Sequence, residues 1–225
     1  MITPSRLFCL CLALTATTSL FAQDDEAEAT PPTTTTPAAS DRSSAGLLGR
    51  DYLAINPIMQ DFRESTSKKG WGTGLDLNLP ATDNWDIGLN YAFERVPDIP
   101  RITDNSLGTS VTGYFKAGGV KPFADVDLGY LWHRVKPEDP TERYDRATYA
   151  VGAGFEAPIF NATAFLGRAA YNNDIRRGAR HEMTYTTGLN QRFADHVTGL
   201  AGVTFEQGRA EGNSLLYNLG VAFVF

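Results

Sequence analysis

The sequence predicts an all-β chain closed into an antiparallel transmembrane β-barrel, ten strands by count, with eight as the alternative if one hairpin is misread. Three observations lead there. Apolar and polar residues alternate with a period of two over segments of roughly ten residues, the length of a tilted strand crossing a bilayer. The connections between these segments are short and long in turn, a mark of membrane barrels. No charged residue falls in the middle of an apolar face, as a lipid-facing surface requires. Composition agrees: 21 Gly, 13 Phe and 9 Tyr stand against 3 Met in 225 residues. That balance favours short strands and turns over a helical bundle.

In chain order, residues 1–22 come first. Arg6 precedes an apolar run over 7–14, and small residues then lead to Ala22. A basic start, a short apolar core and a small residue before the cut make a secretory signal peptide, with cleavage expected after Ala22. The run is too short to span a bilayer as a helix. Cys9 and Cys11 lack a lipobox context, and both leave with the peptide. The exported chain then holds no disulfide, and packing and hydrogen bonding must stabilise it. Residues 23–49 are expected to be a disordered periplasmic linker. As far as residue 45 this stretch offers acids, threonines and prolines but no large apolar side chain to bury, so ordering it gains nothing.

The barrel is expected over 50–225. Its candidate strands are 51–61, 71–80, 84–95, 107–117, 122–134, 146–157, 162–173, 181–192, 197–207 and 213–225. In the last of them Leu215, Tyr217, Leu219, Val221, Phe223 and Phe225 share one face, and Ser214, Asn218 and Gly220 share the other. Trp85, Ile87, Leu89, Tyr91 and Phe93 likewise oppose Asp86, Asn90 and Glu94. Short connections fall at 81–83, 118–121, 158–161 and 193–196. Longer, polar ones fall at 62–70, 96–106, 135–145, 174–180 and 208–212. An even strand count puts both ends of the barrel segment on the short-turn side. Two positions fit less well. Pro57 lacks a ladder donor within the first strand, so a bulge or local irregularity is expected there. The apolar face of 107–117 is interrupted by Thr109 and Gly113.

The apolar faces carry aromatics near both ends. Trp85, Phe115, Phe155, Phe223 and Phe225 lie toward the short turns, and Phe93, Trp132, Tyr149, Tyr171, Tyr185 and Phe205 toward the loops. Two such girdles suit two water–lipid interfaces. The final residues, Asn218-Leu219-Gly220-Val221-Ala222-Phe223-Val224-Phe225, place a polar residue, a glycine and alternating hydrophobics before a terminal Phe. This resembles the C-terminal assembly signal of bacterial outer-membrane β-barrels, of the small porin-like and OmpA-type kind. The resemblance rests on Asn218, Gly220, Phe223 and Phe225 as motif, and on 50–225 as pattern. It implies an outer-membrane location, surrounding outer-membrane lipid, the barrel-assembly machinery as partner, and periplasmic mature termini.

The polar faces carry the chemistry. Phase turns Asp76, Asp86, Glu94, Asp125, Asp127, Glu156, Glu182 and Glu206 inward, with Lys116, Arg168 and Arg192, and puts Arg146 at the loop-end mouth. Buried charges must pair or stay wet. The acids outnumber the bases, and an acidic lining favours cations. The expected function is porin-like: a narrow or gated passage for ions or small polar solutes, without cofactor or metal. The alternative is a plugged structural or surface-interaction barrel, with Arg168 bridging acids such as Asp127 and Asp76. A minor alternative is a loop-end hydrolase built on His133, His181 and Glu182. No Gly-rich phosphate loop, HExxH or cysteine metal site supports an enzyme, and no Ser follows a His at the spacing of lipid A-deacylating barrels. A net charge of −6 with no basic block argues against nucleic acid as a partner.

Overall fold

Alternation of this kind can bury one face only by closing the sheet on itself or stacking it, and the computed structural model closes it. Described are residues 45–62, 69–97, 101–136, 144–175, 181–208 and 213–225. The expected signal peptide, and the linker as far as residue 44, lie outside them. Ten strands follow in order: β1 (Tyr52–Phe62), β2 (Lys69–Thr82), β3 (Trp85–Val96), β4 (Arg101–Tyr114), β5 (Lys121–Lys136), β6 (Tyr144–Phe160), β7 (Thr163–Asp174), β8 (His181–Ala194), β9 (Val197–Gly208) and β10 (Asn213–Val224). Each pairs antiparallel with its sequence neighbours, and β1 pairs with β10 to close the barrel. The count is ten, and the eight-stranded alternative falls away.

The apolar residues face outward. Leu53, Leu75, Leu89, Val126, Val151 and Leu189 are all exposed, while Ala54, Asp86, Asp125, Ala150, Ala170 and Ala222 on the opposite face are buried. The wall is therefore inverted relative to a soluble protein, with small and polar groups inside. Aromatics meet across neighbouring strands at the loop end, with ring centroids 5.9 Å apart for Trp71 and Phe93 and 6.4 Å for both Tyr149–Tyr171 and Tyr185–Phe205. At the short-turn end Phe155 and Phe165 are 5.7 Å apart. The weak face of β4 has a local cause. Gly113 lies opposite Trp85, whose ring fills the space that a side chain there would need, 2.8 Å from the position of a Cβ.

Three expectations are corrected. β4 begins at Arg101 rather than 107, because Val96 pairs with Ile102 and the ladder continues inward from the loop. Thr103, Asp104, Asn105 and Ser106 are polar on both faces, so periodicity gave no sign of them. β4 also ends at Tyr114, and 115–120 form a turn closed by an Ala117–Val120 bridge. Lys116 is thereby exposed in that turn rather than inside the barrel. At Pro57 the expected irregularity is present, as a gap in the ladder rather than a bulge. Asn56 and Pro57 lack partners on β10, but the register is unchanged on either side, Ile55 opposite Val221 and Ile58 opposite Asn218. Finally, residues 45–49, assigned by sequence to the disordered linker, are ordered at the inner mouth of the barrel, where Ala45 and Leu47 are buried.

Candidate functional site

The interior is organised at three heights. At the middle, Arg168 on β7 donates from Nε to Asp125 Oδ1 at 3.0 Å, from Nη2 to Asp125 Oδ2, and from Nη2 to Asp127 Oδ2 at 2.7 Å. Both acids lie on β5, two strands away. Gly152 on the intervening β6 makes the reach possible, since a Cβ there would stand 2.8 Å from Asp125 Oδ1 and 2.9 Å from Arg168 Nε. The phase-based assignment of Arg168, Asp125 and Asp127 to one face holds, but Asp76 is not in the bridge. Asp76 instead accepts from Asn56 Nδ2 at 2.6 Å. Around this level lies a cavity of roughly 370 Å³, lined by Asp76, Asp125, Asp127, Arg168 and the amides of Asn56, Asn78, Asn90, Asn190 and Asn218. The alternation already turns these amides inward, but the sequence assigns a role to Asn218 alone among them, as part of the assembly motif.

At the short-turn end Asp86 and Glu156 are almost wholly buried, at 0% and 3% exposure. Carboxylates that deep need donors. Asp86 accepts from Gly49 N at 2.8 Å and Asn78 Nδ2 at 3.0 Å. Glu156 accepts from Leu47 N at 2.7 Å and has Lys121 Nζ at 3.9 Å. Arg192, half-buried, lies opposite Thr198 at the same end. The motif residues divide by face: Asn218 and Gly220 lie on the inner face, Gly220 beside Asn56 and Asn218 beside Gly202, whereas Phe223 and Phe225 are exposed outside.

At the loop end Glu206 accepts from Ser214 Oγ and, at 3.4 Å, from Gln60 Nε2. Arg146 Nη1 donates to Asp174 at 2.9 Å. Glu94 stands opposite Asp104, and Asp104 lies 2.6 Å from His133 Nδ1. Glu182 shares this inner face, opposite Asn172 on β7. His133 and His181 are not brought together. His133 points into the lumen, whereas His181 stacks outside on Tyr171 with centroids 6.4 Å apart. A barrel wall thus separates the two groups that a loop-end hydrolase would share. Among the described residues, no cluster of three or more His, Cys, Asp and Glu side chains is placed to hold a metal ion.

No protein-family model and no curated protein matches the chain. Solved structures do. The translocator domain of autotransporter NalP from Neisseria meningitidis matches over 99% of this chain and 97% of that one, at 10% identity and a TM-score of 0.45. Neisserial surface protein A matches over 78% and 96%, at 14% identity and 0.40. The NanC porin matches over 76% and 98%, at 10% identity and 0.45. Each of the three is distant. Function has to be read from the barrel's own residues.

Proposed function

We propose that this chain is an exported bacterial outer-membrane barrel, a narrow, gated passage for small cations or small polar solutes. The observation that supports it best is the inverted wall: an apolar exterior around a cavity lined by Asp76, Asp125, Asp127 and five asparagine amides. Lipid covers such an exterior, and an acid-rich interior attracts cations. Its partners are then outer-membrane lipid and the barrel-assembly machinery, which would read Asn218, Gly220, Phe223 and Phe225. No enzymatic step is part of the proposal.

Conductance of the protein purified from a bacterial envelope and reconstituted in planar bilayers tests the passage. Discrete steps with a reversal potential favouring cations are expected. A silent barrel with a folded β-spectrum would sink the passage and leave the plugged structural reading, which the Arg168 bridge favours. The lipid-facing assignment has its own test. Leu75→Arg near mid-height should lower stability in lipid by about 2–4 kcal/mol, and an unchanged denaturation midpoint would reject it.

A further inference from the structure

Residues 45–50 make a turn whose main-chain groups are answered by side chains of the barrel wall. Arg50 N donates to Leu47 O at 3.2 Å within the turn. Leu47 N and Leu48 N donate to Glu156 Oε2 at 2.7 and 3.5 Å, and Gly49 N donates to Asp86 Oδ2 at 2.8 Å. In return Lys121 Nζ donates to Leu48 O at 2.7 Å and Asn78 Nδ2 to Arg50 O at 3.0 Å. The four side chains come from β2, β3, β5 and β6, so the turn is held from several sides of the lumen.

Its shape is also fitted. A Cβ on Gly46 would lie 2.2 Å from Glu156 Oε1, and one on Gly49 would lie 2.5 Å from Tyr114 Oη. Gly49 has φ 79°, a conformation that glycine adopts without strain. Leu47 packs with Ala54, Ala222 and Val224, and Leu47 and Leu48 form part of the lining of the central cavity.

We infer that Asp86, Asn78, Lys121 and Glu156 form a peptide-binding collar, and that residues 45–50 are its built-in ligand, a plug whose release opens the lumen at the short-turn end. The opening part of this rests on the passage proposed above. The collar explains the burial of Glu156, to which Lys121 Nζ comes from the wall at 3.9 Å while the turn brings two amides, and it adds the Gly49 amide to the Asn78 bond of Asp86. With the turn seated, its amides hydrogen-bond both carboxylates. With the turn gone, water must take its place. Release and wetting of the inner mouth are then one event.

The experiment uses the full-length gene, with protein purified from the envelope and reconstituted, and two ways of unseating the turn: Gly46→Val, and deletion of residues 45–49. Both are read by bilayer conductance, and Gly46→Val also by reaction of a membrane-impermeant maleimide with the thiol of Leu47→Cys. In the otherwise unaltered barrel that thiol should react slowly, and Gly46→Val should speed it severalfold. Conductance should rise severalfold in both variants. Fast labelling without Gly46→Val would overturn the seating of the turn. Equal and measurable conductance in the parent and the deletion variant would overturn gating while leaving the passage intact. Silence in both would sink the passage itself, and the labelling rates would still decide whether the collar holds the turn.

Discussion

At the short-turn end of the lumen Glu156 accepts from the main chain of Leu47, and Asp86 from that of Gly49. At the loop end Glu206 is held by Ser214 and Gln60, and Asp174 by Arg146, all side chains of the wall. One end is completed by a segment from outside the strands, whereas at the other, among the described residues, Glu206 and Asp174 take their donors from the wall itself. The Arg168 bridge lies between them. A carboxylate satisfied within the wall stays satisfied as long as the sheet is intact. One satisfied by a docked turn depends on a second equilibrium, so the same chemical group can be a strut at one end and a catch at the other.

The largest effect should come from the bridge that both ends share. Arg168→Ala leaves Asp125, 5% exposed as a side chain, and Asp127 without their guanidinium. Removing one partner of a buried charge cluster costs about 3 kcal/mol. Denaturant titration of the folded barrel measures it, and conductance should change with it. A stable variant with unchanged current would refute the lumenal assignment. Next is Glu156→Ala, which strands the buried amide of Leu47 at a cost of about 1–3 kcal/mol. The loss should appear as faster proteolysis near residue 47 rather than as weaker closure of the sheet. If the barrel melts and the turn stays protected, the contrast between the ends is wrong. Ser214→Ala at the loop end removes one donor from Glu206 while Gln60 remains, and about 1 kcal/mol should be lost, with no effect on protection of residues 45–50. The smallest effect belongs to Arg134, whose ion pair with Asp145 at 2.5 Å is about a third exposed on each side. Arg134→Ala should cost less than about 1 kcal/mol, and a larger loss would show that the loop-end rim contributes to closure.

Much of this was legible in the sequence because a barrel wall writes itself in period two. The alternation from Ser214 to Phe225 fixes which side of β10 faces out, and the same phase turns Asp86, Asp125, Glu156, Arg168 and Glu206 inward, where the structure has them. Phase gives the face but not the height. Which acids Arg168 meets depends on the stagger between β5, β6 and β7 and on the space at Gly152, and nothing local encodes that stagger. That is why Asp76 was the wrong partner. The turn at 45–50 was missed for a different reason. It holds on through backbone amides, which every residue possesses, and its two leucines are too few to stand out beside a tail of threonine and proline. Lys116 was misplaced by extending β4 past its true end, where the alternation runs on by chance into the turn.

The seam between β1 and β10 has a consequence for how the molecule comes into being. The two strands that close the sheet lie at opposite ends of the folded sequence, and two of their rungs, at Asn56 and Pro57, are missing. Every other strand pair joins sequence neighbours and can zip as a hairpin, at small cost in chain entropy. The seam must wait until the last hairpin is in place. Until then the sheet is a ribbon with two open borders, each able to recruit a stranger's strand. The most hazardous moment in this protein's life is therefore its final one of assembly, and the ladder with the fewest paired rungs is the one that must form last.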